Sequence, residues 1–286
     1  MIDYNIFTLG RTIDRKYLPN QLIISITIFS FIFASLIQFF IINNILEAIF
    51  LGIILSIITF LSWALNRELY PQEEYAALAG VILFIITLPW YDVFPLIILF
   101  LIWFIIILRL INQTTGLKPS IFDRFLILLF TVINSYFFSW IFLVFMVIIF
   151  LLNYKFTKEK YDLFFILIGI ILSPVLIYFQ NIFYNQDSLI ILSGLLIFLL
   201  LTIFVILMWL DSDINVVGDY SNKKVPFNRI FSAQIISVFL IFGYILWFGD
   251  KSILLLLPVW CLFFCSVIFS FFNFCIKIKK GKYKKI

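Results

Sequence analysis

About ten apolar runs, each close to the length of a bilayer crossing, follow one another through this chain with only short polar turns between them. A helix needs about 20 mostly apolar residues to cross a hydrocarbon core of roughly 30 Å. The runs lie near Gln21–Ile42, Ile45–Leu65, Tyr75–Trp90, Val93–Ile111, Asp123–Phe138, Ser139–Tyr154, Tyr161–Phe179, Ser188–Leu210, Arg229–Phe248 and Ser252–Phe274. They are continuous rather than strictly alternating, so helices are expected and a barrel is excluded. The chain is 64% hydrophobic, well above the roughly half-apolar make-up of a soluble domain. The expected fold is all-α: a polytopic bundle of about ten transmembrane helices in five hairpins. Residues 1–20 form an interfacial segment, 21–275 the transmembrane domain and 276–286 a basic tail.

Charge sets the expected orientation. With the first segment cytoplasmic, Arg11, Arg15, Lys16, Arg67, Arg109, Lys118, Arg124, Lys155, Lys158, Lys160, Lys223, Lys224 and Arg229 all fall inside, as do the six lysines of the tail. Only Lys251 falls outside, so 19 of the 20 cations share one face. That follows the positive-inside bias of short loops and predicts a cell-membrane protein with both termini cytoplasmic, or an ER-membrane protein in a eukaryote. Residues 123–154 are short for two crossings, at about 24 Å per arm. A single crossing there would put later basic loops outside. Two short helices turning at Asn134–Ser139 are expected, with a re-entrant hairpin as the alternative.

No histidine is present, which removes histidine-ligated haem, HExxH zinc hydrolysis and serine–histidine proteolysis. No metal site is expected. Cys261 and Cys265, four residues apart on one helix face, read as packing residues, and Cys275 as a position for acylation. The first apolar run lacks a cleavage site and reads as a signal-anchor. Trp103 and Trp260, inside spans, read as packing.

Nine carboxylates (Glu47, Glu73, Glu74, Asp92, Asp123, Glu159, Asp162, Asp187 and Asp250) stand at or just before span starts, where the helix dipole favours them. Ser120–Asp123 reads as a capping box after Gly116 ends the preceding helix. Asp211 and Asp213 instead follow a span end, where the dipole opposes negative charge, and Asp219 follows in the same loop. With Glu68, Arg67, Arg109, Lys223 and Lys224 they form the candidate polar, cation- or phosphate-binding site at the inner surface, the alternative being a solvated loop balanced by its own lysines. Pro174, after Ser173, is expected to break the seventh span, either freeing a carbonyl toward a cavity or simply kinking the helix.

No Asp, Glu, Lys or Arg lies in the middle third of any run, which counts against ion-coupled pumping. A permease or lipid-handling membrane subunit is therefore the first expectation. Its polar lining would come from Ser25, Thr27, Ser30, Ser56, Thr59, Gln38, Asn134, Ser173, Gln180 and Gln234. A non-catalytic scaffold is the second expectation, because Ala76, Ala77, Ala79 and Gly80 form a small-residue face for close helix approach, within this chain or onto another. Its partners would be the bilayer and a membrane protein or a second copy of the chain; no nucleic acid is expected. The third is a transferase acting on a lipid phosphate or pyrophosphate, the only reading that implies a cofactor, Mg²⁺ held by the carboxylates. Gly218-Asp219-Tyr220-Ser221-Asn222-Lys223-Lys224 resembles an aspartate-rich loop of UbiA-type prenyltransferases. The chain departs from that family in lacking the paired Asn-Asp-x-x-Asp loop and in carrying Ser212 and Asn215 at the acidic positions before Gly218. The layout is also similar in size and topology to compact transporters built from inverted repeats, but no repeat is found in the sequence.

Overall fold

The computed structural model describes residues 6–11, 13–91, 94–180, 191–210, 216–221, 223–249 and 251–279. It is 81% helical. The helices are α1 (Leu18–Ile42), α2 (Ile45–Leu69), α3 (Glu74–Thr87, extended by a 3-10 turn at Leu88–Trp90), α4 (Ile97–Asn112), α5 (Ile121–Phe137), α6 (Ile141–Thr157), α7 (Lys160–Gln180), α8 (Ile191–Leu210), α9 (Phe227–Phe248), α10 (Lys251–Leu255) and α11 (Leu257–Lys279). Among the described residues no strand forms; a lone antiparallel bridge joins Val217 and Lys224.

Five helical stretches are long and apolar enough to cross a membrane: Leu18–Ile42, Ile45–Leu69, Lys160–Tyr178, Phe227–Phe248 and Leu257–Lys277. Glu74–Trp90, Ile97–Asn112, Ile141–Thr157 and Gly194–Leu210 are shorter but equally apolar in character. Polar residues decide where helices stop. Asn43 adopts φ 56° as the C-cap of α1, and the Asn44 side chain accepts from the Leu46 and Glu47 amides to start α2. The Ser120–Asp123 capping box at the start of α5 is present. Three boundaries differ from the sequence expectation. Helix α4 ends at Asn112 with Gln113 at φ 53°, so Gly116 lies in the following turn rather than at the helix end. Helix α2 continues through Arg67 and Glu68, which therefore sit in its last turn. The last run is interrupted at Leu256, two residues before Pro258.

The chain divides into two units. The first comprises Met1–Thr12, Leu99–Leu189 and Asn215–Gly249, and contains α4 from Leu99 onward, α5, α6, α7 and α9. Its core is aromatic: Phe100, Trp103, Phe142 and Tyr244 pack ring against ring at centroid separations of 4.8–6.4 Å. The buried Trp103 donates to Thr131 Oγ1 at 2.7 Å, so its one polar atom is satisfied. Helices α5 and α6 are 17 residues each. Their turn lies beside the end of the 22-residue α9, where Trp140 and Trp247 meet at 5.4 Å. The hairpin therefore runs the length of α9 instead of turning partway along it.

The second unit comprises Ile13–Ile98, Ile190–Ile214 and Asp250–Ile286. Here α2 and α11 run parallel, with Ser266 donating to Asn66 at 2.9 Å and Asn273 facing Tyr70 at 3.5 Å. Helix α3 runs antiparallel to α11, from Glu73 beside Asn273 at one end to Gly80 against Leu262 further along. A Cβ on Gly80 would lie 2.8 Å from Leu262 Cδ2 and 3.2 Å from Leu262 Cα. Ala76 and Ala77 are fully buried, so the small-residue face of α3 is used inside this chain, against α11.

Candidate functional site

The polar end of the first unit gathers segments far apart in sequence. The carboxylate of Asp123 accepts from the Thr8 amide at 3.1 and 3.2 Å, from Thr8 Oγ1 at 2.6 Å and from the Ser120 amide at 2.7 Å. Arg109 Nη1 donates to the Leu9 carbonyl at 3.1 Å, and Leu9 is fully buried. Arg11 grips Asp219 with both arms of its guanidinium, Nε to Oδ2 at 2.5 Å and Nη2 to Oδ1 at 2.8 Å. Two-point contact of this kind holds orientation as well as charge. The backbone completes the assembly: the Asp219 and Tyr220 amides donate to the Thr114 and Thr115 carbonyls, each at 3.0 Å. Gly116, at φ 77°, lets the two loops touch; a Cβ there would lie 2.2 Å from Ser221 Oγ and 3.0 Å from the Ser221 amide nitrogen.

A second network lies beneath. Arg124 Nε donates to Asp162 Oδ1 at 2.6 Å, with side-chain exposures of 2% and 0%. Nη1 of Arg124 donates to the Pro119 and Ser120 carbonyls at 2.6 and 3.1 Å, and Asn153 Nδ2 donates to Asp162 Oδ2 at 2.9 Å. Arg229 closes the α4 terminus by donating to the Ile111 carbonyl at 2.9 Å, its guanidinium 4.9 Å from the centre of the Phe156 ring. A buried charge is tolerable when it is paired and hydrogen-bonded, a condition that Arg124 and Asp162 meet through each other, although Nη2 of Arg124 is buried without a partner; Arg229 instead relies on a carbonyl and an aromatic face.

Of the predicted site residues, Asp219, Arg109, Lys223 and Lys224 belong to this end. Asp219 is held by Arg11, Arg109 reaches the Leu9 carbonyl, and Lys223 and Lys224 are exposed beside the Val217 bridge. Asp211 and Asp213 lie outside the described residues, as do Asp92, Asp187 and Asp250. Arg67 and Glu68 belong to the second unit. Arg67 donates to Glu74 at 3.2 Å and to Asn20 at 3.3 Å and lies 5.2 Å from the centre of the Trp63 ring, while Glu68 is fully buried. Tyr17 donates to Glu74 in the same cluster. Among the described residues no three His, Cys, Asp or Glu side chains come together to hold a metal ion.

Sequence reasoning missed Thr8, Arg11 and the Arg124–Asp162–Asn153 network. Arg124 and Asp162 are 38 residues apart, and Arg11 and Asp219 are 208 apart, so no local spacing pairs them. Their placement in or beside the basic segments between apolar runs was the one available signal. Pro174 does not break α7: the helix runs through it, the proline faces outward, and Ser173 bonds its hydroxyl to the Gly169 carbonyl at 2.7 Å. Several of the residues expected to line a polar path also serve their own helices. Ser25, Ser30, Ser56 and Thr59 donate to the carbonyls of Gln21, Thr27, Ile53 and Leu55 at 2.7–3.1 Å, and Asn134 donates to Phe130 at 2.7 Å. Gln38, Asn134 and Gln234 are buried, Ser25 is exposed, and the side chain of Gln180 lies outside what is described.

The class these features define is an all-α protein with helices of membrane-crossing length and polarity, its described charges gathered at helix ends. Comparison with protein-family models, curated proteins and solved structures finds no match to this chain.

Proposed function

We propose that this is a multi-pass membrane protein with about ten crossings and cytoplasmic termini, acting as a lipid-handling membrane subunit without ion coupling. The observation that carries the reading is the division of polar groups. Within the first unit the described cations Arg11, Arg109, Lys118, Arg124, Lys155, Lys158, Lys160, Lys223, Lys224 and Arg229 all belong to the end where α4 and α6 finish and α5, α7 and α9 begin. Along the apolar lengths Ser25, Ser30, Ser56, Thr59 and Ser173 turn their hydroxyls onto their own helix carbonyls, while those of Thr27, Ser35 and Ser270 are buried without a partner. The outer surface of such a body, with its many exposed large apolar side chains, suits acyl chains. The alternating helix directions within each unit favour the ten-crossing layout, and the α5–α6 turn beside Trp247 favours two short crossings over a re-entrant pair.

Purified protein in liposomes tests the reading through transbilayer movement of a fluorescent phospholipid. Movement should depend on protein and be indifferent to a proton or sodium gradient. Failure to move lipid, with co-purification of one stoichiometric membrane protein, would favour the scaffold alternative. Mg²⁺-dependent pyrophosphate binding lost in Asp213→Ala would favour the transferase. In a background without Cys261, Cys265 and Cys275, single cysteines replacing the exposed Lys158 and Tyr136 should react with impermeant reagents from opposite sides.

A further inference from the structure

We propose that the corner between α6 and α7 binds the headgroup of an anionic membrane phospholipid, whose acyl chains lie along the outer face of α7. The inference rests on the membrane reading and gives that reading a lipid class.

Three exposed lysines meet at this corner. Lys155 is in the last turn of α6, Lys158 closes that helix at φ 58° with its ammonium 5.5 Å from the centre of the Tyr154 ring, and Lys160 opens α7. The carboxylates around them are already engaged. Glu159 accepts from Lys118 at 3.2 Å, Asp162 is enclosed by Arg124 and Asn153, and Asp123 by Thr8 and Ser120. Among the described residues, none of the three lysines has a carboxylate within ion-pair distance. The corner therefore carries positive charge that the described part of the unit does not neutralise, at the level where a bilayer places its phosphates.

A cationic corner alone would accept any anion. What selects a lipid is the surface that continues from it. Lys160, Phe164, Leu167, Ile171 and Val175 recur at helical spacing, so they form one stripe. The four apolar members are 61%, 57%, 58% and 48% exposed. Lys160 to Ile171 spans about 16 Å of helix, close to one leaflet's share of a hydrocarbon core of roughly 30 Å. The exposed Tyr161 sits at the junction, where amphipathic rings favour the interface.

The test compares the full chain in nanodiscs of phosphatidylcholine alone and of phosphatidylcholine with phosphatidylglycerol, reading thermal unfolding and the lipid retained in native mass spectrometry. The anionic lipid should raise the unfolding temperature and be retained selectively. In K155Q/K158Q/K160Q its affinity should fall on the order of 100-fold, for three cations near a charged surface. The charge-matched R15Q/K16Q/K279Q should keep it. L167A/I171A, which leaves every lysine in place, should also weaken retention. Equal behaviour of the two triple variants, or a flat response to lipid charge in an inserted protein, would overturn this proposal and leave the membrane reading intact. An equal shift from millimolar inorganic phosphate would make the corner a simple anion site and overturn the lipid assignment. Release of the chain from membranes by alkaline carbonate would overturn both readings.

Discussion

Arg124 and Asp162 form a salt bridge of 2.6 Å between two side chains excluded from solvent, joining the first turn of α5 to the first turn of α7. Removing one partner of such a pair strands the other charge, which costs about 3–5 kcal/mol. Asp162→Asn should lower thermal stability in detergent sharply, and Arg124→Met should do the same. Combining them should recover a large part of the loss, because no isolated charge then remains. A double variant no better than the worse single would show that the two groups act independently.

Gly116 combines a positive φ with a Cβ direction that runs into Ser221. Gly116→Ala should therefore loosen the contact between the 113–116 and 216–221 loops. Faster hydrogen exchange at the Asp219 and Tyr220 amides, with little change in the α9 core, is the expected signature. Ser221→Ala with Gly116→Ala should restore only part of the protection, since the backbone strain persists.

Gly80 makes the equivalent argument in the second unit. Gly80→Ala brings a methyl against Leu262, whose side chain can yield by a few tenths of an ångström, so about 1 kcal/mol of destabilisation is expected. Gly80→Leu cannot be accommodated without moving α3 from α11 and should cost about 3 kcal/mol or more. Unfolding temperatures of the two variants, compared with Gly52→Ala between α1 and α2, check the ordering.

Thr8 places both its amide and its hydroxyl on Asp123. Thr8→Val keeps the shape and the amide bond but removes the hydroxyl, a hydrogen bond to a charged group worth about 1.5–3 kcal/mol. The loss should appear as local proteolytic sensitivity around residues 6–11 before any global change.

Burial, together with the Glu74 carboxylate it donates to, pushes the Tyr17 phenol up from 10.0 to about 12. The folded state therefore binds the phenolic proton more tightly than the unfolded chain. Its contribution to stability is complete below pH about 10 and fades as pH rises through about 12. Tyrosinate absorbance in the wild type minus that of Tyr17→Phe should show this late titration, and Glu74→Gln should move it earlier.

The helices were legible because long apolar runs leave the backbone one way to satisfy itself. The turn at Asn43-Asn44 was legible as the gap between two runs, and Ser120–Asp123 as a capping box, since caps are local chemistry. Glu68 was misplaced for a local reason: the helix carries Asn66, Arg67 and Glu68 because each finds a place in its buried or paired surroundings, which apolarity alone does not report. The carboxylates of Asp123 and Asp162 were expected to answer the helix dipole. They do so while also holding Thr8 and Arg124, and partners separated by 115 and 38 residues have no signature in one sequence. Pro174 misled because a proline in an outward-facing turn of a long helix leaves no cavity to fill.

The fork between Arg11 and Asp219 sets an order of events during synthesis. Arg11 leaves the ribosome 208 residues before its counterion, a wait of roughly 10–40 s at ordinary elongation speeds. The earlier helices must form while this end is still open, and only the emergence of the segment before α9 can latch it. A truncated nascent chain stopped short of Asp219 should therefore be captured with its first residues accessible to protease, a provisional form that the finished protein no longer shows.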